Sequence, residues 1–299
     1  MGIYVTTPQG PIHEVDFGGA GASIVLIHGL GGSTGNWSAV APALAREYRV
    51  RAIDLPGFGL TPPRRDYRLE THRDSVIGYL ETLGGTSTLV GNSTGGLVAE
   101  MVAARRPDLV DGLVLVSPAT PPRVPDPLLD WPTVIRLTIE ATPVIGELYG
   151  KRFMEANTPE ELVRKSLEMI THNPGRVPMS MIEASRQMAR VRKDLPWAGT
   201  ASARTASSIA WHYARRGRFV RMIESIDAPA LIIQGVSDHI VSPSAVRWLA
   251  SLRPDWAHVE LDDTGHTPQM DAPLRVVEVV SQWLGRHRQA VAGAGGVPG

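Results

Sequence analysis

Apolar and polar positions along the chain follow two alternating rhythms. The stretch "SIVLIHG" (23–29) is continuous, branched and apolar and ends on glycine, the pattern of a strand buried on both faces. "RVRAID" (49–54), "STLVG", "DGLVLVSPA", "APALIIQG" (228–235) and "AHVEL" repeat it, and the more polar "GPIHEVDF" reads as a strand ahead of them. Between these runs, "NWSAVAPALAREY", "LETHRDSVIGYLETLG", "TGGLVAEMVAARRP", "SPSAVRWLASL" and "APLRVVEVVSQWLGRH" carry helical spacing. Pro42 fits the first turn of the first of these, and glycine closes the second. Strands alternating with helices predict an α/β fold, a mostly parallel twisted sheet flanked by helices on both faces.

The rhythm breaks near residue 120. "TPPRVPDPLLDWP" is proline-dense, and the next hundred residues hold helical patterns without a convincing buried strand. The alternation then resumes at "APALIIQG". The simplest organisation is a core domain made of 1–120 and 227–287, a helical insertion at 121–226, and a disordered tail at 288–299. The insertion is rich in Met (154, 169, 179, 181, 188, 222) and holds Trp131, Trp197 and Trp211, which suit either the lining of an apolar pocket or ordinary helix packing. No internal repeat is present.

Composition narrows the classes of function. Thirty basic residues balance thirty acidic ones, and no basic stripe interleaves with aromatics, so nucleic acid is not an expected partner. The absence of cysteine excludes disulfides, thiolate metal sites and cysteine nucleophiles. "MGIYVTTPQG" shows no basic-then-apolar leader; Gly2 and Thr6 match the literal acylation pattern, but no polybasic segment reinforces it. With no run long enough to span a bilayer, the expectation is a cytoplasmic protein that acts on a small molecule and makes no membrane contact, homo-oligomerisation being left open.

The chemistry centres on "LVGNSTGGLVAE" (89–100), where Ser93 sits between glycines at a strand-to-helix junction. The G-x-S-x-G pattern is common by chance, and a serine hydroxyl is a weak nucleophile without a histidine base oriented by a carboxylate. Asp238 follows the strand in "ALIIQG", and His266 follows "HVEL". All three residues lie just past strand C-termini, where open parallel sheets collect catalytic groups. A sharp turn at Ser93 also explains glycines at 91, 95 and 96, where a Cβ would clash.

"HGLGGS", "DLPGFG", "GNSTGG", "GVSDHIV" and "DTGHTPQMDAP", in this order and spacing over residues 12–287, resemble the α/β-hydrolase superfamily, in its serine-nucleophile form with a helical cap. The insertion after the strand ending near residue 118 falls where that family carries its cap. The resemblance implies Ser93 as nucleophile, His266 as general base and then acid, and Asp238 as the orienting carboxylate. It implies an oxyanion hole from the backbone N–H groups of Leu30 and Thr94, with His28 bracing that loop and Asp54 tying down the "LPGFG" turn. The activity it implies is cleavage of carboxylic esters of small or medium apolar substrates through an acyl-enzyme, with no cofactor and no metal.

Several alternatives stay open at this level. Asp262 and Asp263 rival Asp238 but lie on the segment leading into His266, from which the imidazole is reached awkwardly; His239 sits on the Asp238 loop. His172 and His212 lack metal-ligand spacing. "IVLIHGLGGSTG" followed by Asp54 resembles a dinucleotide-binding fingerprint, though glycines at 29 and 31 call for a third where Thr34 stands. Asn92 before the nucleophile is similar to hydrolases that cut carbon–carbon bonds in aromatic ring-cleavage products, but Thr267 follows His266 where those carry tryptophan. A small-molecule sensor that retains the triad also fits the same residues.

Overall fold

The computed structural model describes residues 2–123 and 131–294. Its strands are β1 (Ile3–Thr7), β2 (Gly10–Gly18), β3 (Ser23–Ile27), β4 (Arg49–Ile53), β5 (Ser87–Asn92), β6 (Val110–Val116), β7 (Ala230–Gly235) and β8 (Ala257–Leu261). They form one sheet in the order β1-β2-β4-β3-β5-β6-β7-β8. The first two strands pair antiparallel, β2 runs antiparallel to β4, and every pairing from β4 to β8 is parallel.

The helices of the two flanking layers are α1 (Ala41–Leu44), α2 (Leu69–Leu83), α3 (Thr94–Arg105), α10 (Pro243–Leu252), α11 (Pro268–Asp271) and α12 (Pro273–Ala294), with α4 to α9 between β6 and β7 in the chain. Side chains alternate across a strand, so a strand with both faces covered must be apolar at every position. In β3, Val25 and Ile27 join a core with Val76, Val98 and Leu249 of α2, α3 and α10. Ile24 and Leu26 point the other way, to Trp37, Leu44, Val276 and Trp283. Full burial of one such aliphatic side chain contributes on the order of 2 kcal/mol, so the continuous runs mark the sheet's centre.

The inserted helices are α4 (Trp131–Ala141), α5 (Ile145–Ala156), α6 (Pro159–Ile170), α7 (Met179–Asp194), α8 (Ala198–Tyr213) and α9 (Arg216–Glu224). A small apolar cluster of Val163, Leu167, Val177, Met181 and Ala189 holds α6 to α7 and includes Met270 from the sheet side. Met181 is thus packing material, whereas Met179 is exposed to solvent and Trp211 stacks under the Arg215 guanidinium, 4.2 Å from the ring centre. No helix of the described residues is long and apolar enough to cross a membrane.

Three local expectations are corrected. The single helix read in "NWSAVAPALAREY" is broken into a 3₁₀ turn at Thr34–Trp37, capped by Ser33 and Asn36, and the four-residue α1 with Pro42 in its first turn. The reciprocal N-cap at Ser33 starts the 3₁₀ turn and Pro42 marks the start of the next helix, and two separate starts outweigh the continuous apolar spacing. Strand β1 was not legible, because an edge strand with Ile3 and Tyr4 exposed leaves no buried pattern. Finally, α12 continues to Ala294, into the stretch expected to be a disordered tail; extending an existing helix through alanines costs far less than starting one. Residues 295–299 of that tail, and 124–130 of the insertion, lie outside the described residues.

Candidate active site

Ser93 stands between β5 and α3 with φ 54° and ψ −118°, a conformation that L-residues rarely adopt. Such strain costs of order 1–3 kcal/mol and persists only where the surroundings over-determine it. Here they do: the Ser93 N–H donates to Val116 O at 2.9 Å, and its carbonyl accepts from Gly96, Leu97 and Ala119 at 2.9, 3.1 and 3.0 Å. The neighbouring glycines are required sterically. A Cβ on Gly91 would lie 2.4 Å from Gly95 O, one on Gly95 would lie 2.4 Å from Ile27 O, and one on Gly96 would lie 3.0 Å from Pro118 Cβ.

Asn92 is the clamp between distant parts of the chain. Its Nδ2 donates both to Val116 O at 3.0 Å and to His266 O at 3.1 Å, which brings the His266 backbone to the residue before Ser93. The His266 imidazole meets Asp238 with Nδ1 2.9 Å from Oδ2. That carboxylate is held from three other directions, by Ile240 N–H and Val241 N–H on Oδ1 (2.8 and 3.0 Å) and by Gln234 Nε2 on Oδ2 (3.1 Å). Its oxygens accept every one of these bonds, so Nδ1 of His266 is the donor and Nε2 is left to accept a proton. Ser93, Asp238 and His266 are all buried.

The rival carboxylates point elsewhere. Asp263 is exposed and faces His172 and Arg176, each 3.9 Å away, and Asp262 is exposed to solvent. His239 is exposed. His212 packs edge-on against Phe219, and burial depresses its pKa. Among the described residues no group of three or more His, Cys, Asp and Glu side chains is placed to hold a metal.

The loop after β3 is braced from beneath. The Leu55 N–H donates to His28 Nε2 at 3.0 Å, so Nε2 is unprotonated and the Nδ1–H donates to Gly29 O at 2.7 Å. Complete burial holds the His28 pKa below its usual value and keeps the ring neutral. Asp54 accepts from Thr34 N–H, Leu60 N–H and His13 Nδ1 at 2.6, 2.9 and 2.7 Å, which locks the 55–60 turn to the glycine loop. Asp54 is also completely buried, out of reach of a ribose, and the dinucleotide reading loses its acidic residue. In the loop itself Gly31 has φ 71° and Gly32 N–H bonds back to Gly29 O. Among the described residues the N–H groups of Leu30 and Thr94 have no hydrogen-bond partner.

Four further residues at this site carry no role in the sequence reading. Gln234, the polar end of an otherwise apolar strand, was visible as an anomaly in "ALIIQG". Asp271 accepts from Gly265 N–H at 2.8 Å and from the N–H groups of His172 and Asn173 at 2.9 and 3.2 Å, so it ties the His266 loop to the end of α6. Thr267 N–H adds a bond to Ile170 O at 3.0 Å. Arg192, from α7, donates to Gly31 O at 2.7 Å. Nothing distinguishes it in sequence from the many other arginines.

A mostly parallel sheet with this strand order and a strained serine after β5 make up the architecture of the α/β-hydrolase fold. The profile of the alpha/beta hydrolase fold family matches residues 22–273, and the chain belongs to that family. It is 29% identical over 254 residues to the pimeloyl-[acyl-carrier protein] methyl ester esterase of Aromatoleum aromaticum, covering 84% of this chain and 93% of that one. It is 26% identical over 278 residues to the 2-hydroxy-6-oxo-6-(2'-aminophenyl)hexa-2,4-dienoic acid hydrolase of Metapseudomonas resinovorans, covering 90% and 86%. Among solved structures, a thermophilic esterase from Thermogutta terrifontis superposes with a TM-score of 0.73 at 24% identity, over 96% of this chain and 99% of that one, a likeness of fold.

Proposed function

We propose that the chain is a serine hydrolase that cleaves carboxylic esters of small or medium substrates through an acyl-enzyme on Ser93. The observation that carries this is the junction at Asn92, which sets a positive-φ serine against the backbone of a histidine bonded to a buried, fully engaged carboxylate. His266 takes the Ser93 proton as Oγ attacks the ester carbonyl. The tetrahedral oxyanion rests on the Leu30 and Thr94 amides, where each donor is worth about 3 kcal/mol in the transition state. His266 then protonates the leaving alcohol and activates the water that releases the acid. Asp238 holds the tautomer. Residues 121–226 form the cap of this site, anchored by Thr267–Ile170 and Asp271–His172 beside the base.

A carbon–carbon bond hydrolase is the second reading, favoured by the Metapseudomonas relative. Asn92, the residue that suggested it, has its amide engaged with Val116 and His266, and this accounts for an asparagine there in structural terms.

The test is intact mass after exposure to a fluorophosphonate, on wild type and Ser93→Ala, followed by turnover of 4-nitrophenyl esters and of a vinylogous ketone. Single labelling of wild type only, with ester turnover lost in Ser93→Ala, is the expected result. Hydrolysis retained in Ser93→Ala would overturn the nucleophile. Turnover of the ketone and not of the esters would favour the second reading.

A further inference from the structure

Several exposed arginines are matched to carboxylates: Arg190 to Glu160 at 2.8 Å, Arg204 to Glu147 at 2.9 Å, Arg247 to Glu260 at 2.7 Å. Arg192, half-buried against the glycine loop, forms no ion pair among the described residues. Its contacts are Gly31 O at 2.7 Å and Ser202 Oγ at 3.4 Å. A partly desolvated cation without a counter-charge is disfavoured, whereas an exposed pair contributes little.

Its position relates it to the site just described. A Cβ on Gly29 would lie 3.1 Å from Ser93 Cβ, and Gly31 follows two residues later in the same loop. With Cα atoms ~3.8 Å apart, the guanidinium lies within roughly 17 Å of Ser93. The cation therefore flanks Leu30, whose amide faces the reacting carbonyl in the proposed mechanism. A guanidinium offers five N–H donors in a planar fork, and Gly31 and Ser202 do not exhaust them. The remaining donors and the uncompensated charge suit a carboxylate, which an arginine can grip with two parallel bonds.

We propose that Arg192 receives a carboxylate carried by the substrate, so that the preferred substrates are half-esters of short dicarboxylic acids whose free end lies against the 29–33 loop. This rests on the reading of Ser93 as the nucleophile of an esterase. The competing role, a brace that only steadies the Gly31 carbonyl, predicts equal losses for charged and neutral substrates.

The experiment compares kcat/KM for mono-4-nitrophenyl glutarate with that for 4-nitrophenyl hexanoate, in wild type and Arg192→Gln, with free glutarate as inhibitor. Wild type is expected to favour the charged ester at least tenfold and to be inhibited competitively by glutarate. In Arg192→Gln the preference falls by at least tenfold, mainly through KM, and glutarate inhibition is lost. Equal losses on both esters would overturn the proposal in favour of the brace. Should the variant fold poorly, the wild-type data decide: no preference, or no inhibition by glutarate, overturns it. Fluorophosphonate labelling of Ser93 separates the two layers. Labelling without a charge preference refutes the carboxylate site alone, while absence of labelling and of all turnover refutes the esterase reading and this proposal with it.

Discussion

Replacing Ser93 by glycine and by alanine isolates the strain at the junction of β5 and α3. Both variants lose the hydroxyl, but alanine keeps a Cβ at φ 54°, ψ −118°, and glycine does not. Relief of that conformation is worth about 1–3 kcal/mol, set against a loss of about 0.5–1 kcal/mol for the greater unfolded-state freedom of glycine. The glycine variant is therefore expected to be more stable than the alanine variant by about 1 kcal/mol. For a chain of this size that corresponds to roughly 2 °C in Tm. Equilibrium denaturant unfolding of the two variants, fitted with a common m-value and followed by circular dichroism, measures the difference directly. The hydrogen bonds to Val116, Gly96, Leu97 and Ala119 are made by backbone atoms, so they survive in both variants and do not confound the comparison. A glycine variant equal to or less stable than the alanine variant would refute the argument that the fold holds Ser93 in a strained state.

Asp238→Asn should lower kcat by ~10³–10⁴ with little change in KM, because an amide NH₂ facing Nδ1 favours the wrong imidazole tautomer; near-normal kcat in a steady-state assay would move the acid to another residue. Gly95→Ala should abolish fluorophosphonate labelling and lower Tm, since its Cβ would meet the carbonyls of Ile27 and His28 at 2.4 and 2.5 Å, and backbone cannot swing aside; wild-type labelling would disprove the close approach. His72, fully buried against Phe58 and bonded to Thr205 Oγ1, has its pKa pushed down to about 3, chiefly by burial. The unfolded chain binds a proton near pH 6.5 that the folded chain refuses, so this contribution is complete above that pH and is lost as pH falls from ~6.5 toward ~3, at about 1.4 kcal/mol per pH unit. Urea unfolding across pH 7.5 to 4 should show that slope diminished in His72→Gln, and an unchanged slope would assign the acid sensitivity elsewhere.

The parallel sheet was legible because its causes are local. β3, β5, β6 and β7 are apolar on both faces, so their residues form continuous runs wherever the chain is read, and the glycines at 91, 95 and 96 signalled a crowded turn before any coordinates. The order Ser93, Asp238, His266, each past a strand end, was likewise written along the chain. What closes the site was not. The Asn92 amide reaches a carbonyl 174 residues away, Asp271 joins the His266 loop to the end of α6, and Arg192 crosses 161 residues to Gly31. Those bonds depend on how α6 and α7 pack against the sheet, and periodicity records which face of a helix is apolar but not what stands opposite it. The amino-acid sequence therefore determined the elements and the candidate chemistry, because both follow from short-range pattern. Tertiary structure alone decided what clamps the His266 loop to the serine turn and to α6, and which cation lies beside the glycine loop, because those pairings are made between segments that the chain keeps far apart.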